Sequence, residues 1–583
     1  MSKTLIETKR HSLSHILAMA VLDLWPDAKL GIGPAIESGF YYDFEFRNKI
    51  TTDNLEEIEE RMKEFIKSDF KFEREEIDAK KAEKIFTNQP YKMELIKEIV
   101  VNLSSPTVNI YKSGEFIDLC AGPHIESTKD LRNVSFKLIK IAGAYWKGSE
   151  KNQMLTRIYA VAFETKKELE EYLKIQEEAG KRDHRKLGKD LGLFIFSELV
   201  GPGLPLYTAK GALVRNIIQN YSNELRQKIG YKEVHTPQIN KADLFKVSGH
   251  YEKYKDSMFR VVSNYTEEEY YLKPMNCPQH TQIYASQMRS YRDLPIRIAD
   301  FAMLYRDEKP GELNGLSRLR AFAQDDGHCF CTEDQIKGEF GSLLNVIKEA
   351  MKTYEMDYYI RLSLRDEKNK NKYLGDDKTW KKSQKILEEL LKEKKVKYVT
   401  APGEAAFYGP KMDVIAKDSL GREWQLSTIQ LDFNMPQRFG LEYTGEDGKK
   451  YTPIMIHSAI VGSPDRFFGI LLEHHAGALP FWLTPVQIQI MAVSEKFNDY
   501  AEKVLKILEK EKFRTEFNDN NETISKKIRK GELQKVPYIL VVGDKEEKSE
   551  TVAVRRRGKK EVETMNIDDF IKKIKMEIEQ KSL

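Results

Sequence analysis

The sequence from residue 296 to residue 331 is IRIADFAMLYRDEKPGELNGLSRLRAFAQDDGHCFC. It contains two β-rich segments, 296–308 and 317–331, with no helical pattern between them. Consecutive strands of this kind pair in an antiparallel sheet, because a parallel pair needs a long crossover, usually a helix, between its strands. A further β-rich segment at 424–433 and a helical pattern at 211–229 extend this region. We therefore expect an α+β domain with an antiparallel sheet in the centre of the chain.

The composition predicts a multidomain protein with packed cores. The chain has 583 residues, enough for about four domains at the usual ~150 residues each. Hydrophobic residues make up 40% and aromatic residues 10%, which excludes a mainly disordered chain. The formal net charge is only +4, which argues against a protein that binds nucleic acid by electrostatics alone.

The sequence carries no sign of secretion or membrane insertion. Its four cysteines, Cys120, Cys277, Cys329 and Cys331, are too few for a disulfide scaffold. Residues 1–15 are charged and lack the apolar stretch of a signal peptide, and no run of ~18 apolar residues occurs. We expect a cytoplasmic protein with reduced thiols and no membrane partner.

The pattern along the chain predicts four segments. Residues 1–150 begin with a helix that ends near Pro26, 151–183 form a highly charged helical connector, 184–480 contain the antiparallel sheet, and 484–583 form a separate domain. In the last segment strands alternate with helices, which predicts a small, mostly parallel α/β domain. We expect its strands over 486–493, 514–517, 536–542 and 551–556, and its helices over 499–512, 524–533 and 567–579.

Common nucleotide and metal motifs are absent from the sequence. It contains no G-x-x-x-x-G-K-[ST] loop, no G-x-G-x-x-G fingerprint, and no H-E-x-x-H or G-x-S-x-G motif. If the protein uses ATP, it must therefore bind it with another architecture.

Arginines and an aromatic residue on the two central strands indicate such an architecture. Arg306 and Glu308 end the first strand, and Arg318, Arg320 and Phe322 lie on the return strand. Guanidinium groups bind phosphate through two parallel hydrogen bonds, and an aromatic ring stacks on a base. A sheet face covered by ordinary salt bridges is the alternative.

The N-terminal segment contains two short groups of histidine and cysteine. His11 and His15 are one helical turn apart, so both face the same side of the first helix, and Cys120 and His124 flank a Gly-Pro pair on a loop or strand end. Three imidazoles and a thiol suit either a zinc site or a pocket that activates water for hydrolysis. The alternative is a pair of ordinary surface histidines near a helix start.

A second group of possible ligands lies in the central segment. Cys277, His280, His328 and Cys331 could form a closed structural zinc site. Their spacing matches no known zinc ribbon or finger, and buried cysteines are common in protein cores, so a core role is the alternative.

Taken in order, these segments resemble the threonyl-tRNA synthetases, a family of class II aminoacyl-tRNA synthetases, over residues 1–583. Arg306-Asp307-Glu308 is similar to motif 2 of that class, GSPDRF at 462–467 to motif 3, and Pro237 to the motif 1 proline at a dimer interface. The resemblance implies a class II antiparallel sheet core flanked by helices. The implied domains are editing (1–150), a helical connector (151–183), the class II catalytic domain (184–480) and an α/β anticodon-binding domain (484–583).

The resemblance implies a threonine–tRNA ligase. Such an enzyme activates threonine with ATP and Mg²⁺ as threonyl-adenylate and transfers it to the 3′ end of threonine tRNA. The resemblance also implies a homodimer formed through residues 211–260, with no DNA partner. Many members of the family begin with a ubiquitin-like domain, which we expect to be missing here. The alternative is a synthetase-like RNA-binding regulator without ligase activity.

Three segments, PMNCP at 274–278, QDDGH at 324–328 and MIH at 455–457, resemble the family's zinc-binding segments. The resemblance implies one Zn²⁺ per subunit on Cys277, His328 and His457, with an open position for substrate. A zinc ion that binds the amino group and hydroxyl of threonine would exclude valine, which an apolar pocket rejects poorly. The implied threonine-binding residues are Met275, Gln324, Asp326, Tyr408 and Gln430.

The resemblance also implies the residues that bind ATP. Arg306 would hold the α-phosphate and the threonine carboxylate, while Arg318 and Arg466 would hold the outer phosphates. Phe322 would stack on adenine with Arg466 on the other face. Glu308 would lie near Mg²⁺ and Gln425 near the ribose. The implied catalytic residues are Arg306, Glu308, Arg318, Lys411 and Arg466.

A second, hydrolytic site is expected because zinc cannot reject serine, and one missing methyl group is worth only ~1–3 kcal/mol. The resemblance implies that residues 1–150 hydrolyse seryl-tRNA with an ordered water and no metal. The implied editing residues are His11, His15, Tyr42, Lys92, Asp118, Cys120 and His124.

The last segment resembles the anticodon-binding domain of the same class. The resemblance implies that Asn521, Glu546 and Arg555 read bases. Arg555-Arg556-Arg557 and the lysines around 526–530 would contact phosphates.

Overall fold

A computed structural model describes residues 4–103, 106–579 and 581 of the chain. The chain divides into two units, residues 1–177 and 178–583, each with its own core. The division lies within a helix, Lys166–Arg182.

The first unit packs a long helix on an antiparallel sheet. Helix Leu5–Leu24 begins with a capping box between Thr4 and Glu7 and is buried over most of its length. The sheet strands are, in order, Lys29–Leu30, Gly39–Glu45, Met154–Phe163 and Ser135–Tyr145, with Ala35–Ile36 on the second strand. A smaller sheet contains Glu73–Asp78, Thr107–Ser113 and Phe116–Leu119, and the other helices are Leu55–Lys67, Ala79–Ile85 and Pro90–Leu103.

The expected start of a helical connector at residue 151 is wrong. Strand Met154–Phe163 pairs with Gly39–Glu45 on one side and with Ser135–Tyr145 on the other. It belongs to this sheet because its apolar residues, such as Ile158 and Ala160, are buried in the first unit's core. The helical region begins only at Lys166, and a second helix, His184–Asp190, follows with Asp183 as its N-cap.

The second unit contains the antiparallel sheet that the sequence predicts. We call this eight-stranded sheet the catalytic sheet, and we call its strand Ala321–Cys331 the central strand. All neighbouring strands are antiparallel except the outermost pair at each edge. Their order is Lys232–Glu233, Ile296–Tyr305, Ala321–Cys331, Ile454–Ala459, Glu423–Asp432, Lys411–Lys417, Asp357–Leu364 and Tyr398–Pro402.

Helices cover one face of the catalytic sheet and bury its apolar residues. The long helices are Ala209–Lys228, Ile336–Thr353, Asp377–Glu393 and Pro464–His474. Their apolar faces form one core with the sheet, which includes Val214, Phe340 and Phe467. The opposite face of the sheet is left for the polar side chains described below.

A buried ion pair ties the first of these helices to the central strand. Arg226 Nε donates to Asp325 Oδ1 at 2.7 Å, and both side chains are almost fully buried. The second carboxylate oxygen accepts from Ser222 Oγ at 2.8 Å and from the backbone N–H groups of Ile460 and Val461 at 2.8 and 3.0 Å. The helix, the central strand and the loop after Ile454–Ala459 are thereby joined at one carboxylate.

The last hundred residues form the expected α/β domain, but the sheet is only partly parallel. Its strands are, in order, Thr515–Asn518, Ile488–Ala492, Tyr538–Val542, Thr551–Arg556 and Val562–Asn566. The first three are parallel, and the last two pair antiparallel as a hairpin. Helices Asn498–Lys510, Ile524–Leu533 and Ile567–Glu579 agree with the prediction, whereas helix Asp544–Ser549 and strand Val562–Asn566 were missed.

Two arginines of this domain hold the segment that leads into it. Arg514 donates to the carbonyls of Trp482 and Thr484 at 2.8 and 3.0 Å. Arg557 donates to the carbonyls of Leu479 at 2.8 Å and Lys535 at 2.7 Å, and its side chain is mostly buried. These bonds use the two terminal nitrogens of Arg557, and its expected contact with phosphate stays a prediction.

Among the described helices, none combines the length and the apolar character that a membrane crossing requires.

Replacing Arg226 with methionine should lower the free energy of unfolding by about 3–5 kcal/mol, because Asp325 would remain buried without its cation. Urea denaturation of the second unit would measure the change. Lys228→Ala on the same helix removes an exposed ion pair with Glu349 and should change the free energy by less than about 1 kcal/mol. Equal losses in the two variants would contradict this view of the buried pair.

Candidate active site

The open face of the catalytic sheet collects polar side chains from neighbouring strands. Alternation along the central strand brings Gln324, Asp326 and His328 to this face. His328 lies opposite His457 on the next strand, and His457 lies opposite Gln430 on the strand beyond. The register therefore brings side chains far apart in sequence next to each other.

Two of these residues, His328 and His457, form with Cys277 a compact group that could hold a metal. Sγ of Cys277 and one ring nitrogen each of His328 and His457 lie within 4.8 Å of one another, and all three residues are buried. Cys277 begins the helix Cys277–Ala285, which faces the end of the central strand. Cys331 is not part of the group, because its side chain lies with Cys329 in the core on the other face of the strand. The closed four-ligand site is therefore not assembled.

Each candidate ligand has a second partner that orients it. His457 Nε2 is 3.0 Å from Asp432 Oδ2, His328 Nδ1 is 2.7 Å from His280 Nδ1, and Cys277 Sγ is 3.6 Å from His250 Nε2. Zinc-binding histidines commonly use their other nitrogen in this way.

Burial controls the protonation of these ligands. It lowers the pKa of His328 well below its ordinary value, so that imidazole is neutral, and it raises the pKa of the Cys277 thiol. A neutral imidazole is the form that binds a metal, and a bound divalent cation would favour the thiolate. One thiol and two imidazoles fit Zn²⁺ with one position open for a small molecule.

A cavity of about 130 Å³ adjoins the three ligands. All five residues expected to bind threonine line it. The Tyr408 hydroxyl donates to Gln430 Oε1 at 2.6 Å, and the Tyr408 ring stacks on His457 with centroids 4.6 Å apart. Burial raises the pKa of the Asp326 carboxyl to about 7. The cavity is small, polar and close to the ligands, which suits a small amino acid.

A larger cavity of about 570 Å³ adjoins the first and contains three guanidinium groups. All six residues expected to bind ATP line it: Arg306, Glu308, Arg318, Phe322, Gln425 and Arg466. Arg306, Gln324 and Gln430 line both cavities. A molecule in one cavity can therefore meet a molecule in the other at these residues.

The arginines of the larger cavity are held by rings and carboxylates. The Arg306 guanidinium lies 5.1 Å from the Phe322 ring, and that of Arg466 lies 5.6 Å from the Trp424 ring. Arg318 makes two hydrogen bonds to Glu308 Oε2, at 2.8 and 3.0 Å. Burial lowers the pKa of Arg306 and of Arg466, so both cations lack full hydration and would gain from an anion.

Lys411 differs from the other expected catalytic residues, since it is absent from the described walls of both cavities. Its ammonium pairs at 2.8 Å with Asp413 Oδ2, which also accepts from Ser363 at 2.7 Å. The other oxygen of Asp413 accepts from Gln425 at 3.0 Å and Thr428 at 3.1 Å. Lys411 therefore neutralises the carboxylate that holds two cavity residues.

In the first unit the seven expected editing residues come together. Nε2 of His11 and Nε2 of His124 each lie 3.4 Å from Cys120 Sγ, and His15 joins them within 4.8 Å. His11 Nδ1 donates to the carbonyl of Pro123 at 3.1 Å, which leaves the lone pair of Nε2 directed at the thiol. Both a metal and an ordered water fit this donor set.

Three buried polar residues lie behind the cluster. Lys92 Nζ is 2.5 Å from Asp118 Oδ1 and 3.0 Å from the Tyr42 hydroxyl, which donates to Asp118 Oδ2 at 2.6 Å. His15 Nε2 is 3.6 Å from the same Asp118 oxygen. Burial first, and then the charges of His11 and Lys92, lower the pKa of His15 well below its ordinary value. His15 is therefore neutral at physiological pH.

A pocket of about 450 Å³ opens beside His11 and Cys120. Its other walls include Pro34, Gly122 and the acidic residue Glu37. The Nε2 lone pair of His11 is thus next to a space that can accept a ligand.

The expected base-reading residues occupy different parts of the C-terminal sheet. Asn521 and Glu546 follow the carboxyl ends of the parallel strands Thr515–Asn518 and Tyr538–Val542, where Glu546 accepts from the Gly543 N–H at 3.0 Å. Arg555 lies on strand Thr551–Arg556, opposite Ile539. Lys526 and Lys530 both pair with Glu522, at 2.9 and 2.7 Å.

Four functional residues were missed from the sequence: His250, Asp413, Trp424 and Asp432. Asp432 could have been found, because it lies two residues after Gln430 on the same strand and so shares its face. His250 and Trp424 carry no comparable signal, since their partners Cys277 and Arg466 are distant in sequence.

Three family models match parts of the chain. Residues 259–475 match the class II core domain of tRNA synthetases (G, H, P, S and T), and residues 487–577 match an anticodon-binding domain. Residues 108–159 match the second additional domain of threonyl and alanyl tRNA synthetases.

Similar proteins are threonine–tRNA ligases. That of Thermotoga neapolitana is 46% identical over 99% of this chain and 89% of its own length, and that of Gloeobacter violaceus is 48% identical over 96% and 91%. A solved structure, the RNA-binding domain of threonyl-tRNA synthetase from Cryptosporidium parvum, matches with a TM-score of 0.65 and 38% identity. This match covers 68% of the chain and 98% of that structure.

The protein purified from zinc-containing medium should hold about one Zn²⁺ per chain at the three ligands. Cys277→Ala should lose most of it, because two imidazoles alone bind zinc weakly. Cys331→Ala, a buried cysteine on the other face, is the matched control and should keep the metal. Elemental analysis of the dialysed proteins measures both, and zinc retained by Cys277→Ala would exclude the site.

Proposed function

The chain belongs to the threonine–tRNA ligase family, and from this premise we propose which residues carry out its reactions. The enzyme activates threonine with ATP and joins it to tRNA, and its editing domain removes wrongly attached serine. The observation that carries the proposal is that Arg306 lines both cavities. One cavity contains the candidate metal ligands, and the other contains the cluster of arginines. No observation favours an RNA-binding regulator without ligase activity.

We propose that the larger cavity binds ATP with Mg²⁺ and that the smaller cavity binds threonine. A threonine carboxylate oxygen then attacks the α-phosphorus, the bond from that phosphorus to the bridging oxygen breaks, and pyrophosphate leaves. Arg306 contacts both reacting groups because it lines both cavities. Its guanidinium stabilises the charge that develops at the α-phosphate, and it holds the carboxylate in line.

The outer phosphates bind to Arg318 and Arg466. Arg466 lies in the first turn of the helix Pro464–His474, whose N-terminus adds a favourable dipole for an anion. Phe322 contacts adenine, and Gln425, held by Asp413, contacts the ribose. Glu308 pairs with Arg318 in the structure. The Glu308 carboxylate would be attracted by Mg²⁺, and the Arg318 guanidinium would be attracted by the phosphate.

Threonine is distinguished from valine by its hydroxyl group. Cys277, His328 and His457 would hold Zn²⁺, which supplies a Lewis acid for the amino group and the hydroxyl. Asp326 accepts the hydroxyl proton in a hydrogen bond, and Gln430 is held by Tyr408 so that its amide faces the substrate. Valine would leave these polar groups without partners, which is a larger penalty than a change of shape.

Serine carries the same polar groups as threonine and is removed in the first unit. We assign the hydrolysis to a water molecule between the Nε2 atoms of His11 and His124. The water oxygen attacks the ester carbonyl carbon, and the bond from that carbon to the tRNA ribose oxygen breaks. Asp118 and Lys92 hold His15 and Tyr42 in place behind the water. The Nε2 atoms of His11 and His124 provide the base that water activation needs.

Bases of the anticodon bind to Asn521, Glu546 and Arg555 in the last domain. The supporting observation is that Asn521 and Glu546 share the carboxyl edge of the parallel strands, where α/β sheets bind ligands. Arg555 lies on the same sheet.

A homodimer formed through residues 211–260 completes the proposal. The support is a group of exposed apolar side chains nearby, which a monomer would leave in water. Leu199 is fully exposed, and the other members are Ile195, Phe196, Val200, Leu206 and Ile239.

Exchange of pyrophosphate into ATP should proceed with threonine and weakly with serine. With valine kcat/KM should be at least ~10³-fold lower, because a site that binds a hydroxyl rejects an analogue without it. Chelation of zinc should abolish the exchange with threonine. Comparable rates with threonine and valine would refute the proposed role of the metal site.

The variant with His11→Ala and Cys120→Ala together should hydrolyse preformed seryl-tRNA ~10²-fold more slowly, because the groups that order water are gone. Threonine-dependent exchange should stay unchanged, since the ligase site lies in the other unit. Lys9→Ala, on the same helix but paired with Glu164, is the control. Loss of hydrolysis by the wild type on chelation would instead assign a metal to this cluster.

Sedimentation should give a particle of twice the 67.8 kDa chain. Ile239→Asp should shift it toward the monomer by placing a charge in the apolar contact. Met576→Asp, an exposed apolar residue on the last helix, should leave the dimer intact. A wild-type monomer at micromolar concentration would end the dimer proposal.

A further inference from the structure

One buried histidine outside both cavities touches the loop that forms a wall of the nucleotide cavity. His184 is the first residue of helix His184–Asp190 and is 3% exposed. Its Nε2 lies 2.9 Å from the backbone nitrogen of Leu316. Leu316 lies in the loop between the strands Ile296–Tyr305 and Ala321–Cys331. With Ser317, Arg318 and Leu319 it lines the cavity of about 570 Å³.

The hydrogen bonds determine the tautomer of His184. Nδ1 is 2.5 Å from Glu473 Oε1, which also accepts from the His184 backbone N–H at 3.0 Å. Burial would raise the pKa of Glu473, but the hydrogen bonds from His184 and the charge of Arg422 outweigh it, so the pKa is lowered. An ionised Glu473 accepts the Nδ1 proton, and Nε2 therefore has a free lone pair. That lone pair accepts the Leu316 N–H.

The loop fits closely against this ring. A Cβ on Gly315, which has a φ of +48°, would lie 2.1 Å from His184 Nε2. A Cβ on Gly469 of helix Pro464–His474 would lie 3.4 Å from the same ring. At Gly315 only a glycine leaves room for the ring, whereas a Cβ at Gly469 would make a close van der Waals contact with it.

The contact ties the loop to the body of the unit. The backbone bonds next to Leu316 stay within the loop: Ser317 N donates to the Asn314 carbonyl at 2.9 Å, and Asn314 N donates to the Arg318 carbonyl at 3.2 Å. At the end of the loop, Arg320 N donates to the Gly203 carbonyl at 3.0 Å. The Leu316 N–H is instead bound to a side chain of another helix. Through Glu473, His184 is joined to the helix that begins near Arg466.

Asp183, His184 and Glu473 could also hold a metal by their proximity. Their carboxylates are already neutralised, since Arg185 Nε donates to Asp183 at 3.0 Å and Arg422 lies 2.5 Å from Glu473 Oε2. Both ring nitrogens of His184 also have partners. The group is therefore a hydrogen-bonded support and not a metal site.

We propose that His184 is a positioning residue for nucleotide binding. By accepting the Leu316 N–H it fixes the loop at 309–320, and so it places Arg318 and Ser317 at the nucleotide cavity. The inference rests on the proposed binding of ATP in that cavity. His184 lies near the start of the second unit and is not among the residues that line the two cavities.

Two amide substitutions separate the two hydrogen bonds of His184. Asparagine places its amide near the position of Nδ1 and can keep the bond to Glu473, but it cannot reach Leu316. Glutamine places its amide oxygen near the position of Nε2 and can accept the Leu316 N–H. His184→Asn should raise the KM for ATP in pyrophosphate exchange about tenfold or more, with the KM for threonine within about twofold of wild type. His184→Gln should keep the KM for ATP within about threefold.

Further measurements distinguish a positioning role of His184 from a role in the stability of the folded protein. Equilibrium dialysis with ATP alone should give the same order, with weaker binding by His184→Asn than by His184→Gln. Urea denaturation should show similar stability for the two variants. His475→Asn, a partly buried histidine just after the same helix, is the control and should leave both KM values unchanged. A purely structural role of His184 would instead change stability and active fraction, with the same KM for ATP in both variants.

Equal KM values for ATP in His184→Asn and His184→Gln, raised or not, would overturn the inference. If neither variant folds, Gly315→Ala tests it with His184 intact, because the added Cβ pushes the loop away from the ring. That variant should raise the KM for ATP in the same way, and an unchanged value would overturn the inference. A wild-type protein without threonine-dependent exchange would refute the proposed function itself, which is a different result.

Discussion

The alternation of side chains along the central strand is the constraint on which the second unit depends. Odd-numbered residues face the helices, where Asp325 meets Arg226 in a buried ion pair. Even-numbered residues, from Gln324 to His328, line the smaller cavity. A slip of one residue in register would exchange the two sets, placing Asp325 in the cavity and the candidate zinc ligand in the core. The buried pair makes such a slip very unfavourable, because each charge would lose its partner away from water. Stability and chemistry are therefore linked through one strand.

The two histidine–cysteine clusters contain similar donor atoms but differ in the charged groups around them. Beside the candidate zinc ligands lie the carboxylates Asp326 and Asp432, so a divalent cation there meets negative charge. Beside the editing cluster, Asp118 is paired with the Lys92 ammonium. That positive charge lowers the pKa of His15 and also opposes a divalent cation. The same residue types therefore lie beside two carboxylates in one unit and beside an ammonium–carboxylate pair in the other.

Much of the fold followed from local pattern. Consecutive β-rich segments around 296–331 predicted the antiparallel sheet, and the helices at 524–533 and 567–579 agree with the structure to the residue. The errors arose where local pattern is ambiguous. Strand Met154–Phe163 was placed in a connector, although one partner, Ser135–Tyr145, lies just before it; only the other partner, Gly39–Glu45, is far away in sequence. The carbonyl contacts of Arg557 were not foreseen either, because charge alone does not reveal which groups a guanidinium binds.

The sequence by itself determined the family, the order of the elements and the chemical types present: arginines beside an aromatic residue, and cysteine with histidines in short groups. These are local features, set by periodicity and by residue identity. Only the tertiary structure decided which of them meet. Cys277 and His457 are brought to His328 by strand register, Cys331 is excluded by strand alternation, and His184 reaches Leu316 across the second unit. The physical reason is that such contacts depend on the global packing of strands and helices, which no short stretch of sequence encodes.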